Sequence, residues 1–148
     1  MADKTPFISY VLAGYPVLYV NTHEEWRVLT KYVGDLTTKP KNPYKTYTWD
    51  CVDGVVLVGI EKNVLASGKK ELIDGTPIID PMAALQWLEG FEGPEGAVGA
   101  EEYTALFLKD FHEYLREQSN VRAPLCRKIR NIIPKLKAIG KVIVSPQE

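Results

Sequence analysis

Residues 104–112 read TALFLKDFH, and the fold turns on how this stretch is taken. Ala105-Leu106-Phe107-Leu108 is apolar at every position. A strand wetted on one face alternates apolar and polar residues, so an unbroken run points to a central strand covered on both faces, as in parallel sheets. Lys109 and Asp110 carry the chain past the carboxyl end of that strand. In nucleotide-hydrolysing α/β proteins an acid at this place commonly holds the magnesium of Mg-ATP. Asp110 is therefore a candidate site residue, with His112 beside it, and the question is whether a phosphate-cradling loop accompanies them.

On both sides of this strand, helical and extended patterns take turns. Thr5-Pro6 reads as an N-cap with proline at the first helical position; Phe7, Ile8, Val11 and Leu12 follow at helical spacing, and Gly14 stops the helix. Val17–Val20 is β-branched and aromatic, a strand pattern. Thr22-His23-Glu24-Glu25 forms a capping box, and Trp26, Leu29, Val33 and Leu36 make one apolar stripe behind it. Tyr47, Trp49 and Cys51 alternate with Thr46, Thr48 and Asp50, which predicts another strand.

Asp53-Gly54 marks a turn, and VVLVGI (55–60) with ELI and TPII around Asp74-Gly75 predicts an excursion of short antiparallel strands over 55–79. Asp80-Pro81 repeats the cap-plus-proline signal before Ala84, Leu85 and Leu88, and the Gly-rich 90–102 reads as a surface loop. Leu125, Ile129, Ile132, Ile133, Leu136 and Ile139 form a last helical stripe, interrupted by Pro134. An interior proline costs about 3 kcal/mol, so a kink or two helices are expected there. Gly140 and Val142-Ile143-Val144 then give a stop and a final strand. The alternation predicts a single α/β domain over 1–148, with a mostly parallel sheet, helices on both faces and right-handed crossovers.

With 45% apolar and 25% charged residues, the chain has the composition of a globular domain. Its apolar runs are too short to span a bilayer and MADKTP is no signal peptide, so no membrane partner and a cytoplasmic location are expected. Cys51 and Cys126 lack paired spacing and read as buried thiols of a reducing compartment. The net charge of −1 is unevenly spread: residues 121–148 hold seven basic residues against one acid (+6), and the first 120 hold 11 against 18 (−7).

A phosphate loop after the first strand would read GxxxxGK[ST], with glycines letting backbone amides approach the phosphates. The chain offers VNTHEEW, which has no glycine or lysine and places two glutamates there. Ser67-Gly68-Lys69-Lys70 mimics half of the motif, but Asn63 stands where its first glycine belongs and Lys70 where the magnesium-binding hydroxyl belongs. GPEGAVG (93–99) precedes a strand instead of following one. Asp110 thus has no phosphate-binding partner in the sequence.

The ordered set YPVLYVNTHEEWRVL, TYTWDCVDG, DPMAALQWL, TALFLKDFHEYL and LKAIGKVIVSPQE resembles the N-terminal region of a family of AAA+ ATPases found in bacteria, plastids and phages. The resemblance implies a Rossmann-like, degenerate RecA-like domain that lacks a phosphate loop and precedes the ATPase module. It implies a fragment or isolated domain, since the KVIVSPQE-like strand leads into that module while this chain stops at Glu148. No catalytic, cofactor-binding or metal-binding residue carries over; ATP and magnesium belong to the absent module. The implied partners are a protein substrate or adaptor, with homo-oligomerisation through the parent ATPase.

Against these expectations stand the individual candidates. Asp110 and His112 as a relic metal or nucleotide site compete with Asp110 as a turn cap and His112 as a surface residue, and the missing cradle favours the latter. A small hydrolase or nuclease working from Asp110, His112 and Glu113 is the weakest reading. His23, Glu24 and Glu25 are accounted for by the capping box and the helix dipole. Arg122, Arg127, Lys128, Arg130, Lys135 and Lys137 form a basic helical surface that fits nucleic acid, an acidic neighbouring subunit or plain solvent.

Overall fold

The computed structural model describes residues 7–21, 25–41, 43–61, 64–73, 75–90, 103–116, 120–139 and 141–147. Its elements run α1 (Phe7–Leu12), β1 (Val17–Asn21), α2 (Glu25–Thr38), β2 (Lys45–Asp50), β3 (Gly54–Glu61), β4 (Val64–Lys70), β5 (Leu72–Ile73), β6 (Thr76–Pro77), α3 (Pro81–Glu89), β7 (Thr104–Leu108), a 3₁₀ turn (Phe111–Leu115), α4 (Arg122–Ile139) and β8 (Val142–Gln147). The Thr5-Pro6 cap, the Thr22–Glu24 part of the capping box and the loop proper at 91–102 lie outside the described residues.

One six-stranded sheet has the order β1-β8-β7-β2-β3-β4. β1, β8, β7 and β2 are mutually parallel neighbours, and β3 and β4 continue the sheet antiparallel. The apolar run at 105–108 lies in β7, buried at all positions between β8 and β2. Its side chains divide by parity. Ala105 and Phe107 join Phe7, Ile8, Leu29, Val33 and Leu36 from α1 and α2 on one face. Leu106 and Leu108 join Leu85, Leu88, Leu125 and Ile132 from α3 and α4 on the other. Both faces are covered by helices, which is why β7 needs no polar residue.

The excursion returns over β2. The Trp49 indole N–H donates to the Ile78 carbonyl at 2.9 Å, and the backbone of Ile78 crosses directly above Gly54. α1 ends in a Schellman arrangement: Gly14 takes φ 90°, its N–H donates to the Val11 carbonyl, and the Tyr15 N–H donates to that of Tyr10.

Three expectations need correction. Of the two outcomes expected at Pro134, a kink or two helices, the second is overturned, since α4 runs unbroken over Arg122–Ile139. Leu125, Ile129, Ile132 and Leu136 are buried on both sides of an exposed Pro134. Four such side chains at about 1.5–3 kcal/mol each outweigh the loss at one proline. Leu12 is 60% exposed, because it lies at the fringe of the face carrying Phe7, Ile8 and Val11. Cys51 is exposed and Cys126 half-buried. β2 ends at Asp50, whose Oδ1 accepts the N–H groups of Val52 (2.8 Å) and Asp53 (2.6 Å) and turns Cys51 out of the strand.

Candidate functional site

In open α/β sheets, ligands bind beyond the carboxyl ends of the parallel strands. Here that edge comprises Asn21, Asp50, Leu108 and Gln147, the last residues of β1, β2, β7 and β8. The Asp50 carboxylate is committed to its turn. Beyond β7, Asp110 holds φ 55°, a left-handed conformation in which Asp and Asn are enriched among non-glycine residues. Its side chain is exposed and makes no capping hydrogen bond; the Asp110 carbonyl accepts the Glu113 N–H at 3.1 Å. The expected side-chain cap is thus replaced by a backbone turn. The side chain of His112 lies outside the described residues.

The left-handed turn swings Phe111 back under the sheet edge, where it is 1% exposed. Phe111, Trp49 and Tyr114 pack together with ring centroids 5.8–6.3 Å apart. Burial first, then a hydrogen bond with the Cys51 thiol and the nearby carboxylates of Asp80 and Asp110, raises the Tyr114 hydroxyl above the ordinary tyrosine range. Among the described residues no three His, Cys, Asp or Glu side chains converge as metal ligands. One group at this edge has no partner: the Ser145 hydroxyl on β8 is buried and unbonded among the described residues. The sequence gives no signal for it, because an isolated serine in a strand looks like any edge residue.

The other candidate surface, the basic face of α4, divides into two sets. Lys128 and Lys135 reach the two carboxylate oxygens of Glu89, both at 2.6 Å. These hydrogen bonds, led by the one from Lys128, hold the Glu89 carboxyl below the usual glutamate range. Glu89 ends α3, where the helix dipole disfavours an acid, so the lysines offset an otherwise unfavourable placement. Lys141, 4% exposed, donates from Nζ to the carbonyls of Leu88 (2.7 Å) and Glu89 (3.3 Å). The Gly90 N–H approaches those of Gln86 (3.3 Å) and Trp87 (3.2 Å). All four terminal carbonyls of α3 are thereby satisfied. Arg122 donates to the Leu115 carbonyl at 3.0 Å. Arg127 and Arg130 stay exposed, with no ion-pair partner among the described residues, and the side chain of Lys137 lies outside them. Part of the basic excess of residues 121–148 is therefore absorbed within the chain.

Ser67-Gly68-Lys69-Lys70 sits on β4, at the antiparallel end of the sheet, with no helix N-terminus behind it. The fold and its edge define a Rossmann-like α/β domain whose first parallel strand leads into VNTHEEW instead of a glycine-rich phosphate loop. Residues 4–148 match the family model described as SpoVK-like AAA ATPase, N-terminal domain, and the chain belongs to that family. It is similar to the "Uncharacterized AAA domain-containing protein ycf46" of Guillardia theta, 29% identical over 95% of this chain and 24% of that protein. It is likewise similar to the protein of that description from Trieres chinensis, 30% identical over 97% of this chain and 24% of that protein. The chain thus spans about a quarter of these relatives. No solved structure matches. Among the described residues no helix is long and apolar enough to cross a membrane.

Proposed function

We propose that this N-terminal domain of an AAA ATPase is non-catalytic: it recruits a protein substrate or adaptor, or joins subunits, while ATP and magnesium are handled elsewhere in the parent protein. The supporting observation is the state of the carboxyl edge. Asp50 is bound into a turn, Phe111 and Tyr114 fill the space beyond β7 and β2, and the segment after β1 carries no glycine or lysine for phosphate. Assembly of a homo-oligomer would rely on the parent ATPase, and the setting is a reducing cytoplasm, where Cys51 stays a free thiol.

Titration calorimetry of the chain with Mg-ATP tests the reading. The expected result is no heat of micromolar binding; a micromolar site abolished by Asp110→Ala would overturn it. In the parent protein, removal of residues 1–148 is expected to leave ATP hydrolysis in place and to abolish partner processing.

A further inference from the structure

The face of the sheet that carries α3 and α4 is covered unevenly. α4 turns one flank to α3 through Lys128 and Lys135. Its other flank, with Cys126, Arg130 and Ile133, faces β1 and has no helix beside it among the described residues. Between them runs a groove of about 290 Å³, floored by Val17 and Tyr19 of β1 and closed at one end by Leu115. That volume is just under the roughly 300–1,000 Å³ of small-molecule sites, enough for one or two side chains. Tyr19 is 55% exposed, and burial of the rest of its ring, then the neighbouring Cys126, raises its hydroxyl above the usual tyrosine range.

Three observations identify the occupant. β1 is the end strand and pairs with β8 alone among the described residues, so its second edge presents unpaired N–H and C=O groups. Large side chains are exposed on and just ahead of β1: Tyr15 (54%) and Tyr19 (55%). The charge at the groove is positive: Arg130 is exposed there with no ion-pair partner among the described residues, whereas Glu89 pairs with the lysines on the opposite flank.

We propose that this site binds an extended segment of a partner protein, paired to the free edge of β1. One apolar side chain would fill the groove against Tyr19 and Ile133, and a carboxylate would meet Arg130. Residues two apart share a strand face, about 6.6 Å from one another, so the segment carries an acid two positions from an apolar residue. Backbone pairing supplies affinity and the groove supplies specificity. The proposal rests on the recruitment reading above and names the chemistry of what is recruited.

Peptide-display selection on the full 148-residue chain tests it, with enriched peptides measured by fluorescence anisotropy. Expected are acidic-apolar peptides that lose at least tenfold in affinity with Arg130→Glu or Tyr19→Asp and stay within twofold with Lys69→Glu on the distant β4. Binding should also slow amide exchange of Val17–Asn21. Failure to enrich any peptide, enrichment of basic ones, or indifference to Arg130→Glu would overturn the proposal. Self-association abolished by Tyr19→Asp in sedimentation velocity would overturn it too, since a second copy would then own the edge. Peptides that bind elsewhere leave recruitment standing; partner processing that survives removal of residues 1–148 from the parent removes recruitment itself.

Discussion

Asp110 shows how one residue type serves two purposes at a strand end. An acid there suggests magnesium, yet the backbone holds φ 55°, where a short polar side chain is tolerated and a branched one is not. If conformation is the reason for Asp110, Asp110→Gly keeps or slightly raises stability and Asp110→Val lowers it by about 1–2 kcal/mol in urea denaturation. Gly54 is a stricter case: it combines φ 76° with an ideal Cβ only 2.8 Å from the Ile78 nitrogen and 3.1 Å from its oxygen. Backbone cannot yield as a flexible side chain can, so Gly54→Ala is expected to cost about 3 kcal/mol or more. By contrast Gly34, inside α2 with nothing within 4 Å of its Cβ, should gain about 0.5–1 kcal/mol on conversion to Ala in the same assay. The Asp53-Gly54 pair announced a turn in the sequence. The overhead crossing of Ile78 did not show, because it joins residues that meet only after the excursion folds back.

At the scale of elements, hydrophobic spacing carried most of the information. The stripes at Leu29, Val33 and Leu36 and at Leu125, Ile129, Ile132 and Leu136 are buried as their periods require. The helix does not divide at Pro134 because the packing on either side of it outweighs local propensity. Removing it should restore the N–H that pairs with the Arg130 carbonyl, so Pro134→Ala is expected to stabilise by about 2 kcal/mol, read as a rise in melting temperature. The α3–α4 contact was illegible for another reason: Lys128 lies 39 residues from Glu89, and Lys135 lies 46. Glu89 is held below the ordinary glutamate range, so the unfolded chain takes up its proton first as pH falls. Its contribution is therefore present above about pH 4.3, the unfolded value, and is lost as pH drops through the lower folded value. Glu89→Gln should be about 1–2 kcal/mol less stable at pH 7, and that gap should close below about pH 4 in denaturation curves taken across pH. Lys135 is 64% exposed and contributes the smaller share.

For the whole molecule, TALFL foretold a buried parallel strand, and helices on both faces followed from alternation. Strand order did not follow, because β8, last in the chain, inserts between β1 and β7. That insertion brings Val17 and Tyr19 beside α4 and creates the groove, so the candidate interface had no sequence signature beyond an exposed tyrosine. It also changes how the charge split is understood. The +6 of residues 121–148 suggested a polyanion surface, but Lys128, Lys135 and Lys141 spend their charge on the end of α3, leaving Arg122, Arg127 and Arg130 as the exposed arginines of α4 among the described residues. Each phosphate neutralised contributes about −0.9 to the slope of log K against log salt. Three arginines predict a slope no steeper than about −3 for duplex DNA, with binding weaker than micromolar at physiological salt. Fluorescence anisotropy at two or more salt concentrations reads both quantities. A slope near −5 would mean that cations beyond these three engage phosphate, and α4 would then have to be reassigned as a nucleic-acid surface. A shallow slope leaves Arg127 and Arg130 for a carboxylate partner, as the open flank of β1 requires.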